Sequence, residues 1–149
     1  MTKKGLGGML ALCLLCAFLA GCADSGAAQA ADEAVDMDLS GLSSALAYAQ
    51  VVNILEAPDD YQEQTIKIRG QYYPSYYEPT QHVYHFVVVG DETLCCQAGM
   101  EFIWNGSHTY PGDYPEEQTE IEVAGVFGSY EELGVTYYCL TIDDISRIE

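Results

Sequence analysis

Cys95 and Cys96 stand side by side in LCCQAGMEF (94–102), Cys139 follows in VTYYCLTI (135–142), and His82 and His85 fall in HVYHFVVV (82–89). Thiolate and imidazole together suit zinc or copper(I), which zinc would hold in a tetrahedron at ~2.3 Å to sulfur and ~2.0 to 2.1 Å to nitrogen. The same cysteines can instead brace a fold. A disulfide from Cys139 to one of the pair closes a loop of about 44 residues and stabilises by about 4 kcal/mol on the chain-entropy model. A ring between Cys95 and Cys96 is strained, because adjacent Cα atoms sit ~3.8 Å apart, short of the ~4.4 to 6.8 Å that disulfides use. Neighbours on a regular strand point to opposite faces, so both can ligate one ion only if a bulge turns one of them. Disulfide, metal and free buried thiols all stay open at this point, and the compartment weighs among them.

The N-terminus speaks to compartment. Lys3 and Lys4 precede an apolar run from Leu6 to Phe18, the length of a signal h-region and short of the ~20 residues that span a bilayer. Leu19-Ala20-Gly21-Cys22 follows and resembles the lipobox of bacterial lipoproteins. The resemblance implies a signal peptide over 1–21, acylation of Cys22, and anchoring in membrane lipid on the extracytoplasmic face. Cys13 and Cys16 would leave with the signal. From 22 to 38 the chain is small and acidic, with little to bury, and reads as a flexible tether.

Without Lys3 and Lys4, three basic residues (Lys67, Arg69, Arg147) face 23 acidic ones, a balance of −20. Phosphate backbones are bound largely through Lys and Arg that release counterions, so charge argues against nucleic acid as a partner. It fits cationic partners, or simply a self-repelling, soluble surface.

The remaining 39–149 is one domain in length. Ser40 or Ser43 can cap an amphipathic helix with Leu42, Ala45, Ala49 and Val52 on one face, Leu46 and Leu55 widening it, and Pro58 closing it. Period-two patterns then predict five strands: 65–73, 82–89, 94–104, 120–127 and 135–142, the last with Leu140 and Ile142 inside. Gly99 is a candidate bulge. Gly70 and Gly125, within the first and fourth strands, suit sharp curvature. A mostly β domain of one helix and five curved strands resembles an OB-fold, the five-stranded Greek-key barrel; an immunoglobulin-like sandwich would want about seven strands.

Tyr72, Tyr73, Tyr76, Tyr77, Tyr84 and Trp104 offer an aromatic face for a sugar, peptide or apolar ligand, and Tyr72, Tyr76, Tyr84 and Trp104 are its named candidates, although alternation must send about half of such residues inward. Asp113, Glu116 and Glu117 lack the spacing of a calcium loop, and His108 is the one histidine of its loop. No serine with a base, no phosphate-cradling glycine loop and no carboxylate pair assignable as acid and base stands out, so the sequence points away from an enzyme.

The runs VVNILEAPDDYQEQTIKIRGQYY, YHFVVVGDETLCCQAGMEF, YPGDYPEEQTEIEVAGVF and YYCL resemble a group of small, acidic, tyrosine-rich lipoproteins of anaerobic Gram-positive bacteria, with Gln64 near an expected turn glycine. A looser similarity is to the extracytoplasmic double-cysteine domain of a permease partner. These resemblances imply an anchored ligand-binding or adaptor module of the cell envelope, without a cofactor. The alternative they leave is a zinc- or copper-binding accessory of a membrane transporter. An OB-like strand order further implies that the strand of Cys95 and Cys96 lies between those of His85 and Cys139.

Overall fold

The computed structural model describes residues 34–91 and 95–147. The signal segment, Cys22 and most of the tether therefore lie outside the described residues. Helix α1 runs Ser44–Glu56 with Ser43 at its N-cap, and a 3-10 turn, Pro58–Tyr61, follows. The strands are β1 Met37–Asp38, β2 Thr65–Tyr77, β3 His82–Gly90, β4 Gln97–Trp104, β5 Glu120–Glu132 and β6 Val135–Arg147. β1 adds a two-residue parallel pair to β2, Met37 opposite Ile66. Order thus begins before residue 39: Asp36 donates its backbone N–H to the Thr65 carbonyl, and Leu39 is buried.

The five long strands close a ring. β2 pairs with β3, β3 with β4, β4 with β6, β6 with β5, and β5 returns to β2; β4 and β6 run parallel and the rest antiparallel. This is the OB-like order, with the helix placed ahead of the strands. β2 serves two partners, β5 over Thr65–Gln71 and β3 over Gln71–Tyr77. At that handover a Cβ on Gly70 would lie 2.4 Å from the Val88 carbonyl oxygen, and one on Gly125 would lie 2.4 Å from that of Thr141. Only glycine lets the backbones approach so closely. The irregular register falls between Val123 and Gly125, whereas Gly99 sits in an unbroken β3–β4 ladder opposite Val88.

Alternation fills the ring's interior. Ile66, Ile68 and Tyr72 from β2, His85, Val87 and Val89 from β3, Met100 and Phe102 from β4, Ile121, Val123 and Phe127 from β5, and Leu140 and Ile142 from β6 are all buried. α1 packs on β3 and β4. Its buried side chains are Ala47, Val51 and Ile54, while Leu42, Leu46 and Leu55 are exposed. The helix lies where the sequence places it but turns a different stripe inward. Ser-Ala-Leu-Ala-Tyr-Ala-Gln-Val-Val-Asn-Ile-Leu is apolar nearly all round, so spacing does not choose between two stripes. Among the described residues, no helix is long and apolar enough to cross a membrane.

Candidate functional site

Strand order does put β4 between β3 and β6, but it does not gather the proposed donors. Cys139 pairs with Glu101, and Cys96 lies five residues before Glu101, just ahead of β4, where Asp91 N donates to its carbonyl. At ~3.3 Å per residue the pair is roughly 16 Å from Cys139, too far for a disulfide. The imidazoles are separated from it as well. His85 stands opposite Phe102, which stands opposite Leu140, so its ring faces the interior, and Cys139, one residue before Leu140, faces the other way. The ligand set His82, His85, Cys95, Cys96 and Cys139 is therefore corrected: these residues lie in three separate places, and no disulfide joins Cys95, Cys96 and Cys139 to one another.

His85 has a structural occupation. The Tyr72 hydroxyl and its Nδ1 share a hydrogen bond at 2.7 Å, and its ring stacks on Tyr114, centroids 3.8 Å apart and nearly parallel at 12°. Burial pulls its pKa down to about 4, so the imidazole is neutral at pH 7, and burial raises the Tyr72 hydroxyl above its ordinary range. Tyr72 is fully buried and leaves the proposed ligand face. Trp104 gives its indole N–H to the Asp143 carbonyl at 3.0 Å, and one ring face is covered by His108, 3.6 Å away at 8°. His82 is exposed, with its ring edge-on to Tyr84. His82, Tyr84, Trp104, His108, Tyr110 and Tyr114 border a depression of about 360 Å³ beside the loop 105–119.

A larger groove, about 550 Å³, opens on the outward face of β3 and β4, between the β2–β3 turn and the β5–β6 turn. Phe86, Gly99 and Glu101 of β3 and β4 line it together with Tyr77, Tyr84, Tyr130, Glu132 and Tyr137. The Tyr130 and Tyr137 rings stack at 5.6 Å. Glu101 is buried, and both of its oxygens accept from the Tyr130 hydroxyl, at 2.9 and 3.0 Å. Burial raises its pKa, with the Tyr130 hydrogen bond acting against the rise. Tyr84 donates to the Glu132 carboxylate. Beside Glu101, on β6, lies Cys139, whose thiol burial pushes up to about 11 and which is therefore protonated and inert at neutral pH.

Of the four aromatic candidates, Tyr84 alone lines this groove. Tyr76 is 62% exposed on β2 but borders neither depression. Glu101, Tyr130 and Tyr137 were not signalled by spacing; their convergence needs the β5–β6 turn to fold over β4.

No family model matches the chain, and no curated relative matches it. A similar solved structure is the dimeric N-terminal domain of PriB from Thermoanaerobacter tencongensis, at 14% identity, covering 57% of this chain and 96% of that one, with a TM-score of 0.39. One expectation is corrected here. The exclusion of nucleic acid as a partner, drawn from charge balance alone, is withdrawn. A likeness this distant assigns no ligand to this chain.

Cys95 and Cys96 occupy the bend that leads into β4. Asp91, at the end of β3, gathers them: its Oδ1 accepts from Cys95 N at 3.1 Å, and its Oδ2 lies 3.3 Å from Cys95 Sγ. The two sulfurs are 3.7 Å apart. Because β4 begins only at Gln97, strand alternation does not govern the pair, and both thiols are free to point to one side. The Cys96 thiol is raised above its ordinary pKa, first by its hydrogen bond with Cys95.

Proposed function

We propose that the chain is a lipid-anchored, extracytoplasmic binding module whose β3–β4 groove holds a carbohydrate of the cell envelope. The observation that carries the binding reading is the groove itself: tyrosine and phenylalanine rings stand around a buried carboxylate, Glu101, with a second carboxylate, Glu132, at the rim. Sugar rings offer C–H faces to aromatic rings and hydroxyl donors to carboxylates, and this lining supplies both. Among the described residues, no lysine or arginine lines the groove. The outward face of the second and third barrel strands, flanked by two turns, is also where OB-folds in general take oligosaccharides and oligonucleotides, an analogy of fold alone. The lipobox-like Leu19-Ala20-Gly21-Cys22 supports the anchor.

The test is calorimetric titration of the full chain with soluble cell-wall glycan fragments and, in parallel, with a single-stranded oligonucleotide. Saturable glycan binding that falls at least tenfold in Tyr84→Ala and in Tyr137→Ala, with circular dichroism unchanged, is expected. Binding of the oligonucleotide alone, or glycan binding indifferent to both substitutions, overturns the assignment. Mass spectrometry of the membrane-extracted protein is expected to find diacylglycerol on Cys22, and an unmodified cytosolic product removes the anchor.

A further inference from the structure

The bend between β3 and β4 holds a second, independent arrangement. The geometry points to a zinc site whose donors among the described residues are the Asp91 carboxylate and the Cys95 and Cys96 thiolates. Three donor atoms lie within 4.8 Å of one another there, one from each residue. Two of their separations come close to those of a tetrahedral ion. Two sulfurs at ~2.3 Å from zinc, at the tetrahedral angle, stand ~3.8 Å apart, and a sulfur and a carboxylate oxygen at ~2.1 Å stand ~3.6 Å apart. The observed separations are 3.7 Å between Cys95 Sγ and Cys96 Sγ and 3.3 Å between Cys95 Sγ and Asp91 Oδ2. A zinc ion needs little rearrangement to enter, whereas a disulfide between these sulfurs would have to contract them to ~2.05 Å across a peptide too short for an unstrained ring.

The donor chemistry selects the ion. Two thiolates favour zinc and softer ions over magnesium or calcium, which take all-oxygen shells. Cys95 and Cys96 are both exposed, so a ligand or a receiving site can approach. The carboxylate is fixed in advance, since the backbone N–H of Cys95 holds Asp91 Oδ1 while Oδ2 faces the sulfur. This preorganisation plays the part of the outer hydrogen bonds that orient metal ligands. The site is distinct from the β3–β4 groove, which none of the three residues lines.

The experiment titrates zinc into the reduced full chain against a chromophoric chelator, and repeats it with Cys95→Ser, Cys96→Ser, Asp91→Asn, Cys139→Ser and the double substitution Cys13→Ser/Cys16→Ser. We expect one zinc per chain, lost on either of the first two substitutions, weakened about tenfold or more by Asp91→Asn, and unchanged by Cys139→Ser or the double substitution. Cobalt substitution is expected to give the visible and thiolate-charge-transfer bands of a tetrahedral two-sulfur site. Zinc that survives loss of Cys95 or Cys96, zinc lost with Cys139 or with Cys13 and Cys16, or no zinc bound by a chain whose circular dichroism shows it folded, each overturns the proposal.

Discussion

Tyr72 and His85 show how one buried pair can occupy residues that look chemical. A tyrosine beside a strand and a histidine three residues from another suggest recognition or ligation, yet each saturates the other inside the barrel, and burial holds the imidazole neutral. This has a consequence for pH. The pKa of His85 is about 4 in the folded chain against 6.5 ordinarily, so between those values the unfolded chain binds a proton that the folded chain refuses. Stability must then fall as pH drops from 6.5 to 4 and level off below, by on the order of 3 kcal/mol from this group. Glu101 acts in the opposite sense, since its raised pKa makes protonation favour the folded state at low pH. The difference between wild type and His85→Phe isolates the histidine. Urea unfolding at pH 7, 5.5 and 4 is expected to show a steeper decline in wild type than in the variant, whatever the variant's absolute stability, and parallel declines would mean that His85 is charged when folded.

At the scale of elements, the strands were legible and the helix only half so. Each of the five period-two segments became a strand, generally extended at its C-terminal end, because alternation of β-branched and polar residues reports a sheet with one face covered. Gly70 and Gly125 were rightly tied to curvature, since backbone oxygens stand where their side chains would be. The helix lacked a polar face to orient it, and Ala47, Val51 and Ile54 went inward in place of the stripe through Leu42, Ala45, Ala49 and Val52. Two substitutions separate the faces. Ile54→Ala, which empties a fully buried position, is expected to cost about 2 to 5 kcal/mol, whereas Leu46→Ala, 55% exposed, should stay within about 0.5 kcal/mol. Chemical denaturation of both variants measures this, and a larger loss at Leu46 would reinstate the other stripe. The candidate sites were less readable than the fold, because Glu101, Tyr130 and Tyr137 meet only through tertiary folding, and the Asp91–Cys95–Cys96 cluster depends on a bend where the strand pattern stops. The side-by-side cysteines were visible, but their partner, Asp91, was hidden among many acidic residues.

For the molecule as a whole, charge sets the balance between local pairing and global repulsion. Lys67 meets Glu122 and Arg69 meets Glu120, each at 2.7 Å, across the β2–β5 seam that closes the ring. Both pairs are partly or largely exposed, so solvent screening leaves each a small contribution. Against them stands a formal net charge of −18, and most acidic groups have no cation to offset them. Salt weakens both contributions, but not equally. Raising ionic strength from about 0.01 M to 0.1 M shortens the Debye length from about 30 Å to about 10 Å, which removes repulsion summed over the whole barrel, while the cross-strand pairs, in direct contact, lose much less. The melting temperature should therefore rise with sodium chloride and plateau once the Debye length is shorter than the spacing of acidic neighbours. Lys67→Gln should lower it most in dilute buffer, because that change both breaks a seam contact and adds to the excess negative charge. Thermal unfolding by circular dichroism at 10, 100 and 500 mM sodium chloride measures both effects. A melting temperature that falls with salt would show that the seam pairs outweigh the repulsion, and that ring closure rests on two ion pairs more than on the apolar interior of Ile66, Ile68, Ile121 and Val123.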